Sequence, residues 1–254
     1  MNYIRKYFSQ TNGILIVLDD GVYPSNIPKA VLDNFMVFRD KIGANMTETL
    51  PLAPITLRDV RAGIFDLAIQ YSVCKRFKLA PAQHRNISNE ISTVLDLVVL
   101  ASKLGLQGSE SDLAAHLKRV LVRNRDWDRD ELECSHVRTV YTLREGHPVR
   151  RLFAQALARS WGEFHHNRAE DDESFEVSRS GRSTSLNEAQ RRAWETTEWK
   201  YSNEYCDIKA FRFDVVEEFG KMWQRMDRVE TKLKNFVPYR IFLVDPLTKK
   251  QFLF

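Results

Sequence analysis

Cysteine is scarce in this chain of 254 residues, which carries only three, Cys74, Cys134 and Cys206. Three widely spaced thiols build neither a disulfide framework nor a zinc cage, and they fit a reducing, intracellular setting, nucleus or cytoplasm. Glycine is sparse too, and none of the ten falls into the G-x-G-x-x-G or G-x-x-x-x-G-K spacing that turns several backbone N–H groups onto a phosphate. The common nucleotide folds are disfavoured, no cofactor is expected and no small-molecule ligand is indicated. No apolar run approaches the roughly 18 residues of a membrane-spanning helix, and residues 1–10 lack a signal-peptide core, so no membrane partner is expected. A large net charge is also missing. Lys plus Arg number 38 against 34 Asp plus Glu, and the resulting +4 is too small to argue for a nucleic-acid footprint. What remains is an ordinary globular mixture, 43% hydrophobic and 28% charged, long enough for one large domain or one and a half.

Ile14, Leu15, Ile16, Val17 and Leu18 form a β-branched run closed by Asp19, Asp20 and Gly21. Val22 and Tyr23 can start a return strand, so the chain is expected to open on a hairpin. Ser25 and Asn26 can cap a helix that Pro28 starts, and Val31, Phe35, Phe38 and Ile42 recur at helical steps until Gly43, which predicts one amphipathic helix. Leu50, Pro51 and Leu52 read as a short edge strand, since proline restrains the residue before it. Thr56 with Asp59 resembles a capping box, followed by Val60, Ile64, Leu67 and Tyr71 on one face of a helix reaching Cys74. Ile91, Val94, Leu95, Val98, Ala101 and Leu104 are apolar around most of a helix that Gly105 stops, so that helix is expected to be central. Ser109 heads another, with Leu113, Leu117, Val120 and Leu121 inward and His116, Lys118, Arg119 and Arg123 toward solvent. Val137, Val140 and Tyr141 mark a short helix, and Pro148 opens the next with Leu152, Ala156, Leu157 and Trp161 as its stripe.

These elements predict a first domain over residues 1–162. Residues 163–185 are rich in His, Asn, Arg, Glu, Asp and Ser and read as a flexible linker or surface loop, because they bury too little apolar area to offset the entropy of ordering. Residues 186–254 form the remainder. Here a polar helix with Trp194 and Trp199 is expected over residues 187–201. Val215, Phe219, Met222, Met226, Val229 and Leu233 then alternate three- and four-residue steps, as in a packed helix or a short coiled-coil seam. Tyr239 to Val244, the turn formers Asp245 and Pro246, and residues 249–254 predict a closing hairpin. The fold class is therefore α+β, with helices gathered on a small sheet and a helical C-terminal extension ending in a β-hairpin.

Chemistry is thinly marked. Cys134 and His136 stand two residues apart without two further metal ligands at suitable spacing, and no metal is expected. Cys134 as a nucleophile, with His136 or His147 as its base, is a rival reading, against the plainer one of a structural cysteine. His165 and His166 precede Glu170, Asp171, Asp172 and Glu173, a run that reads as a solvated charged surface. Lys118, Arg119, Arg123, Arg125 and Arg129 with Trp127 could follow a phosphate backbone, but Asp126, Asp128, Asp130 and Glu131 interleave and would blunt that field.

The order of elements resembles the BTB/POZ superfamily, in particular its divergent members in filamentous fungi. Residues 14–22 look like the family's first hairpin, and Pro28-Lys29-Ala30-Val31-Leu32 like the helix after it. Leu50-Pro51-Leu52 is similar to its short strand, and the run from Asp59 through Phe65-Asp66-Leu67-Ala68-Ile69-Gln70-Tyr71 to its next helix. Asp96-Leu97-Val98-Val99-Leu100-Ala101-Ser102-Lys103-Leu104-Gly105-Leu106 matches the central helical motif best. Val137-Arg138-Thr139-Val140-Tyr141 and Glu145-Gly146-His147-Pro148-Val149-Arg150-Arg151-Leu152-Phe153 resemble the segment that follows in the fungal type. The resemblance covers residues 12–162 and rests on core patterns.

It implies a non-enzymatic adaptor or scaffold whose partners are proteins, itself included as a homodimer, in transcriptional or chromatin regulation. Coupling of substrates to a cullin-type ubiquitin ligase is the alternative that the family offers. For the C-terminal part, Phe219, Met222, Met226, Val229 and Leu233 on the helix and Phe252 and Phe254 on the last strand are the candidate partner-binding residues, since apolar seams and strand edges recruit partners. Their packing onto the chain itself is the competing reading.

Overall fold

A computed structural model describes residues 14–19, 21–23, 27–44, 54–79, 86–123, 132–178, 199–230 and 242–253. The chain is α+β, mostly helical, and divides into two units, Met1–Leu143 and Arg144–Phe254.

In the first unit, β1 (Ile16–Leu18) pairs antiparallel with β2 (Gly21–Val22). Ile14, Ile16 and Leu18 are buried while Leu15 and Val17 are half-buried, the alternation a strand imposes when one face of its sheet meets a core. Two helices follow, α1 (Lys29–Leu32) and α2 (Met36–Ala44). The expected single helix is broken where Phe35, fully buried, makes a β-bridge with Leu106. The Met36 N–H donates to the Gly105 carbonyl and the Gln107 N–H to the Asn34 carbonyl. An uninterrupted helix would need those backbone groups for its own ladder, so the tertiary bridge overrides the periodicity.

Strand β3 (Ile55–Thr56) returns parallel to β1 and gives the sheet order β2–β1–β3. This corrects one expectation. Thr56 belongs to a strand and caps no helix, and the described extended segment lies at Ile55–Thr56, whereas Leu50 to Leu52 fall outside the described residues. Helix α3 (Ala62–Cys74) starts later, after Asp59 at φ 60°, with Arg61 as an N-cap that makes no side-chain capping bond.

Helix α4 (Ile87–Leu104) is the hub of the unit, packing against α2, α3, α5 (Ser109–Arg123) and α6 (Cys134–Val140). Its ends are well defined. The Asn86 side chain accepts the Ser88 N–H at 2.8 Å, and Gly105 adopts φ 65° as the left-handed C-cap.

In the second unit α7 (Pro148–Ser178) is one continuous helix that runs through residues 163–178, where a linker was expected. The two compact units meet after Leu143, within the stretch 1–162 that the sequence groups together. Polarity misleads here because a helix satisfies its own backbone bonds and needs only one apolar stripe to be held. Helices α8 (Ser202–Asp207) and α9 (Lys209–Glu230) follow, then the antiparallel hairpin β4 (Phe242–Val244) and β5 (Gln251–Leu253). Residues 187–198 lie outside the described residues, and Trp199 to Tyr201 precede α8 without being helical. Helix α9 packs on α7, α8 and β4. Among the described residues no helix is long and apolar enough to cross a membrane.

Candidate functional site

A polar cluster of the first unit joins α4 to the start of α6. Glu133 stands ahead of α6, and its backbone N–H donates to Nδ1 of His136 at 3.0 Å, one arm of a capping box in which imidazole replaces the usual carboxylate. His136 is buried, and its Nε2 lies 2.7 Å from Ser92 Oγ on α4. The Glu133 carboxylate accepts from the hydroxyls of Ser88 and, at 3.2 Å, Ser135.

Hydrogen-bond inventory fixes the tautomer. Because Nδ1 accepts a backbone N–H, the ring proton sits on Nε2 and is donated to Ser92. A histidine that activates a serine needs the reverse, a bare Nε2 to take the hydroxyl proton and an Nδ1–H held by an acid. The Ser92–His136 pair is built as a helix cap, not as a nucleophile and base. Both ring nitrogens of His136 are thereby engaged, by Glu133 and Ser92, and Cys134 is half-buried. His147, the other candidate base, is a residue of the second unit whose Nδ1 accepts the Val149 N–H at 3.2 Å.

Three further ionisable groups of this unit, Glu90, Tyr71 and Asp96, are buried or half-buried. Glu90 in the first turn of α4 is buried and meets Arg123 at 2.8 Å and His116 Nε2 at 3.9 Å. Arg123 is exposed, as expected, while its guanidinium reaches back to Glu90, and Lys118 and Arg119 are exposed on α5 as well. Arg125, Trp127 and Arg129 lie outside the described residues. Tyr71 donates to Asp112 at 2.6 Å, and burial, reinforced by that bond and by the Asp112 charge, pushes its phenol above the ordinary range. Burial likewise pushes the Asp96 carboxyl up, although Arg61 beside it pulls the other way.

In the second unit, polar groups of α7 and α9 interlock. Glu218, buried, accepts from Arg151 Nε at 3.2 Å, Gln155 Nε2 at 3.1 Å and Lys221 Nζ at 2.9 Å. Burial alone would raise its pKa, but the bonds from Lys221 and Gln155 and the charges of Lys221 and Arg151 outweigh it and hold the carboxyl below the usual range. Hydrogen bonds to Glu217 and Glu218 raise the Lys221 ammonium in turn. Arg150 meets Asp214 at 3.2 Å.

The candidate partner-binding residues divide on burial. Met222 is buried and clusters with Ala158 and Leu243, with half-buried Phe219 packed against them. Phe219 also stands edge-on to Trp161, ring centroids 5.1 Å apart. Both residues face α7 and β4 and form the core of their own unit. Met226 and Val229 lie in α9, and Phe252 lies in β5 opposite Leu243. Leu233 and Phe254 fall outside the described residues. Helix α9 shows a second apolar face that the 3.5-residue stripe does not include. Phe213 is 67% and Val216 42% exposed, while Phe211 and Val215 beside them are fully buried. The sequence signal was present, two apolar pairs each two or fewer residues apart, but a single stripe could absorb only one member of each.

His165 and His166 are helical residues of α7, and among the described residues no group of three or more His, Cys, Asp or Glu could hold a metal ion. No protein-family model and no curated protein matches this chain.

Proposed function

We propose that this chain is a non-enzymatic protein–protein interaction adaptor or scaffold, built on a BTB/POZ-like first unit and acting inside the cell in transcriptional or chromatin regulation. The observation that carries the reading is the strand pairing. An antiparallel β1–β2 hairpin, two short helices and β3 returning parallel to β1 precede α3 and a central α4 closed by Gly105. That order supports the resemblance drawn from the core patterns. Fold likeness alone assigns no function, so the reading also leans on the site chemistry. The Ser92–His136 pair holds its proton where a base must be bare, and the ion pairs described above serve packing between helices.

The test is affinity purification of the tagged full chain under mild conditions, with light scattering of the purified protein. A stoichiometric protein partner, or a mass above 29.7 kDa, is the expected result. A chain that purifies alone and stays monomeric at every concentration overturns the proposal. A co-purifying cullin would specify the adaptor as one for a ubiquitin ligase.

A further inference from the structure

We infer that the outward face of α9 is a self-association seam on which a second copy of this chain packs its own α9 in parallel, about a two-fold axis running along the helices. The inference deepens the association reading, rests on it for the existence of a partner, and commits to one.

Helix α9 is two-sided. Phe211, Val215, Glu218 and Met222 are buried and face the unit's own core. Turned half-way round the helix, Phe213, Val216 and Gly220 fall in line at steps of three and four residues, the spacing of a coiled-coil seam. Phe213 and Val216 are the most exposed large apolar side chains of this unit's described residues, at 67% and 42%. A Cβ built on Gly220 meets nothing within 4 Å, so open space continues the stripe at the third position. Exposed apolar residues are ordinary singly, but two on one helical face with a glycine in register form a surface that another helix can cover.

Lys209, exposed at the d position one turn before Phe213, bounds the apolar stripe at the start of the helix, and the charges beside the stripe decide what covers it. Arg212 and Glu217 are exposed and flank the stripe on opposite sides. In heptad terms, with Phe213 at a and Val216 at d, Arg212 stands at g and Glu217 at the following e. Parallel helices bring g of one chain against the next e of the other, so Arg212 meets Glu217 of the second copy on both sides of the axis. One helix thus carries both halves of its own complementary pair, as a self-complementary interface requires. An antiparallel partner would instead set g against g and e against e, opposing like charges. Glu217 is already held in place by Lys221 at 2.7 Å, one turn along, which limits the side-chain freedom lost on pairing. The seam is short, well below the area of a permanent dimer, so association is expected in the micromolar range or weaker.

The test uses the full chain in light scattering from micromolar to submillimolar concentration, with circular dichroism as the control for folding. The wild type is expected to rise from 29.7 kDa toward twice that mass. Arg212→Glu and Glu217→Arg each place like charges across the seam, and each is expected to raise the midpoint concentration at least about ten-fold, as is Phe213→Ser. Mixing Arg212→Glu with Glu217→Arg in equal amounts restores opposite charges on both sides and is expected to recover the wild-type midpoint. A fold defect in either variant could not be repaired by mixing. A wild type that stays at 29.7 kDa throughout overturns the seam and leaves the adaptor reading to partner capture alone. A wild type that associates, with all variants and their mixture unchanged, overturns the seam while the association reading stands.

Discussion

Gly162 lies inside α7, where helix propensity favours alanine by about 1 kcal/mol. On that ground alone Gly162→Ala would stabilise the protein, but packing reverses the sign. A Cβ at position 162 would sit 2.1 Å from Phe219 Cε2, 2.7 Å from Cδ2 and 3.0 Å from Cζ. Carbon atoms rest about 3.5–4.0 Å apart, so the ring must retreat by well over an ångström. Its exits are restricted, because Trp161 stands edge-on to it and Ala158, Met222 and Leu243 close the core beside it. Overpacking of this kind costs about 1–3 kcal/mol, which exceeds the propensity gain and leaves a net loss of about 1 kcal/mol. Gly220→Ala in α9 is the matched control, since open space there leaves only the propensity term and a gain of about 0.5–1 kcal/mol. Urea unfolding followed by tryptophan fluorescence, with Trp127→Phe in every variant, reads the right unit, because the other four tryptophans, Trp161, Trp194, Trp199 and Trp223, lie beyond Leu143. With a urea slope of about 1–3 kcal/mol per molar, the midpoint is expected to fall by about 0.5 M for Gly162→Ala and to rise for Gly220→Ala. Dilute protein keeps association out of the measurement. A rise for Gly162→Ala equal to that for Gly220→Ala would refute the close approach of α7 and α9.

Gly105→Ala forces a left-handed φ of 65° on alanine and brings its Cβ to 2.9 Å from Met36 Cβ, so a loss of about 1–3 kcal/mol in the first unit's unfolding is expected by calorimetry. Glu218 has its carboxyl lowered in the folded state. The unfolded chain therefore takes up the proton first, and the stability Glu218 supplies is present above the ordinary glutamate range and lost as pH falls through its lowered folded pKa. Glu218→Gln is expected to reduce stability at neutral pH and to make the acid limb of the stability profile shallower, whereas an unchanged limb would show that the α7–α9 ion pairs contribute nothing. His136→Ala removes the imidazole arm of the α6 cap and the bond to Ser92, with an expected loss of about 1–2 kcal/mol in denaturant unfolding. A His136→Ala chain as stable as wild type would free the histidine for another role.

Local chemistry in the sequence was enough for elements whose signals need no distant partner. The β-branched run at Ile14 to Leu18 and its turn formers, the apolar circumference of α4 with Gly105 as its stop, and the Asp245–Pro246 hairpin are all properties of short stretches of chain. Expectations failed where a remote contact outweighed the local pattern. Phe35 bridges Leu106 and splits a helix that periodicity made continuous. Thr56 pairs with Val17 across the sheet and cannot cap the helix its neighbours suggested. Helix α7 extends through a polar segment whose composition read as a linker. Periodicity also marks which residues of α9 turn inward without saying what meets them, so Met222 was a candidate for a partner until Ala158 and Leu243 were found against it. Residue types at Cys134 and His136 allowed a nucleophile and a base, and only the structure shows the His136 ring engaged by the Glu133 N–H at Nδ1 and by Ser92 at Nε2. Sequence sets the local preferences of each segment, whereas a preference of a fraction of a kilocalorie per residue yields wherever burying a phenylalanine or satisfying a backbone group is worth more.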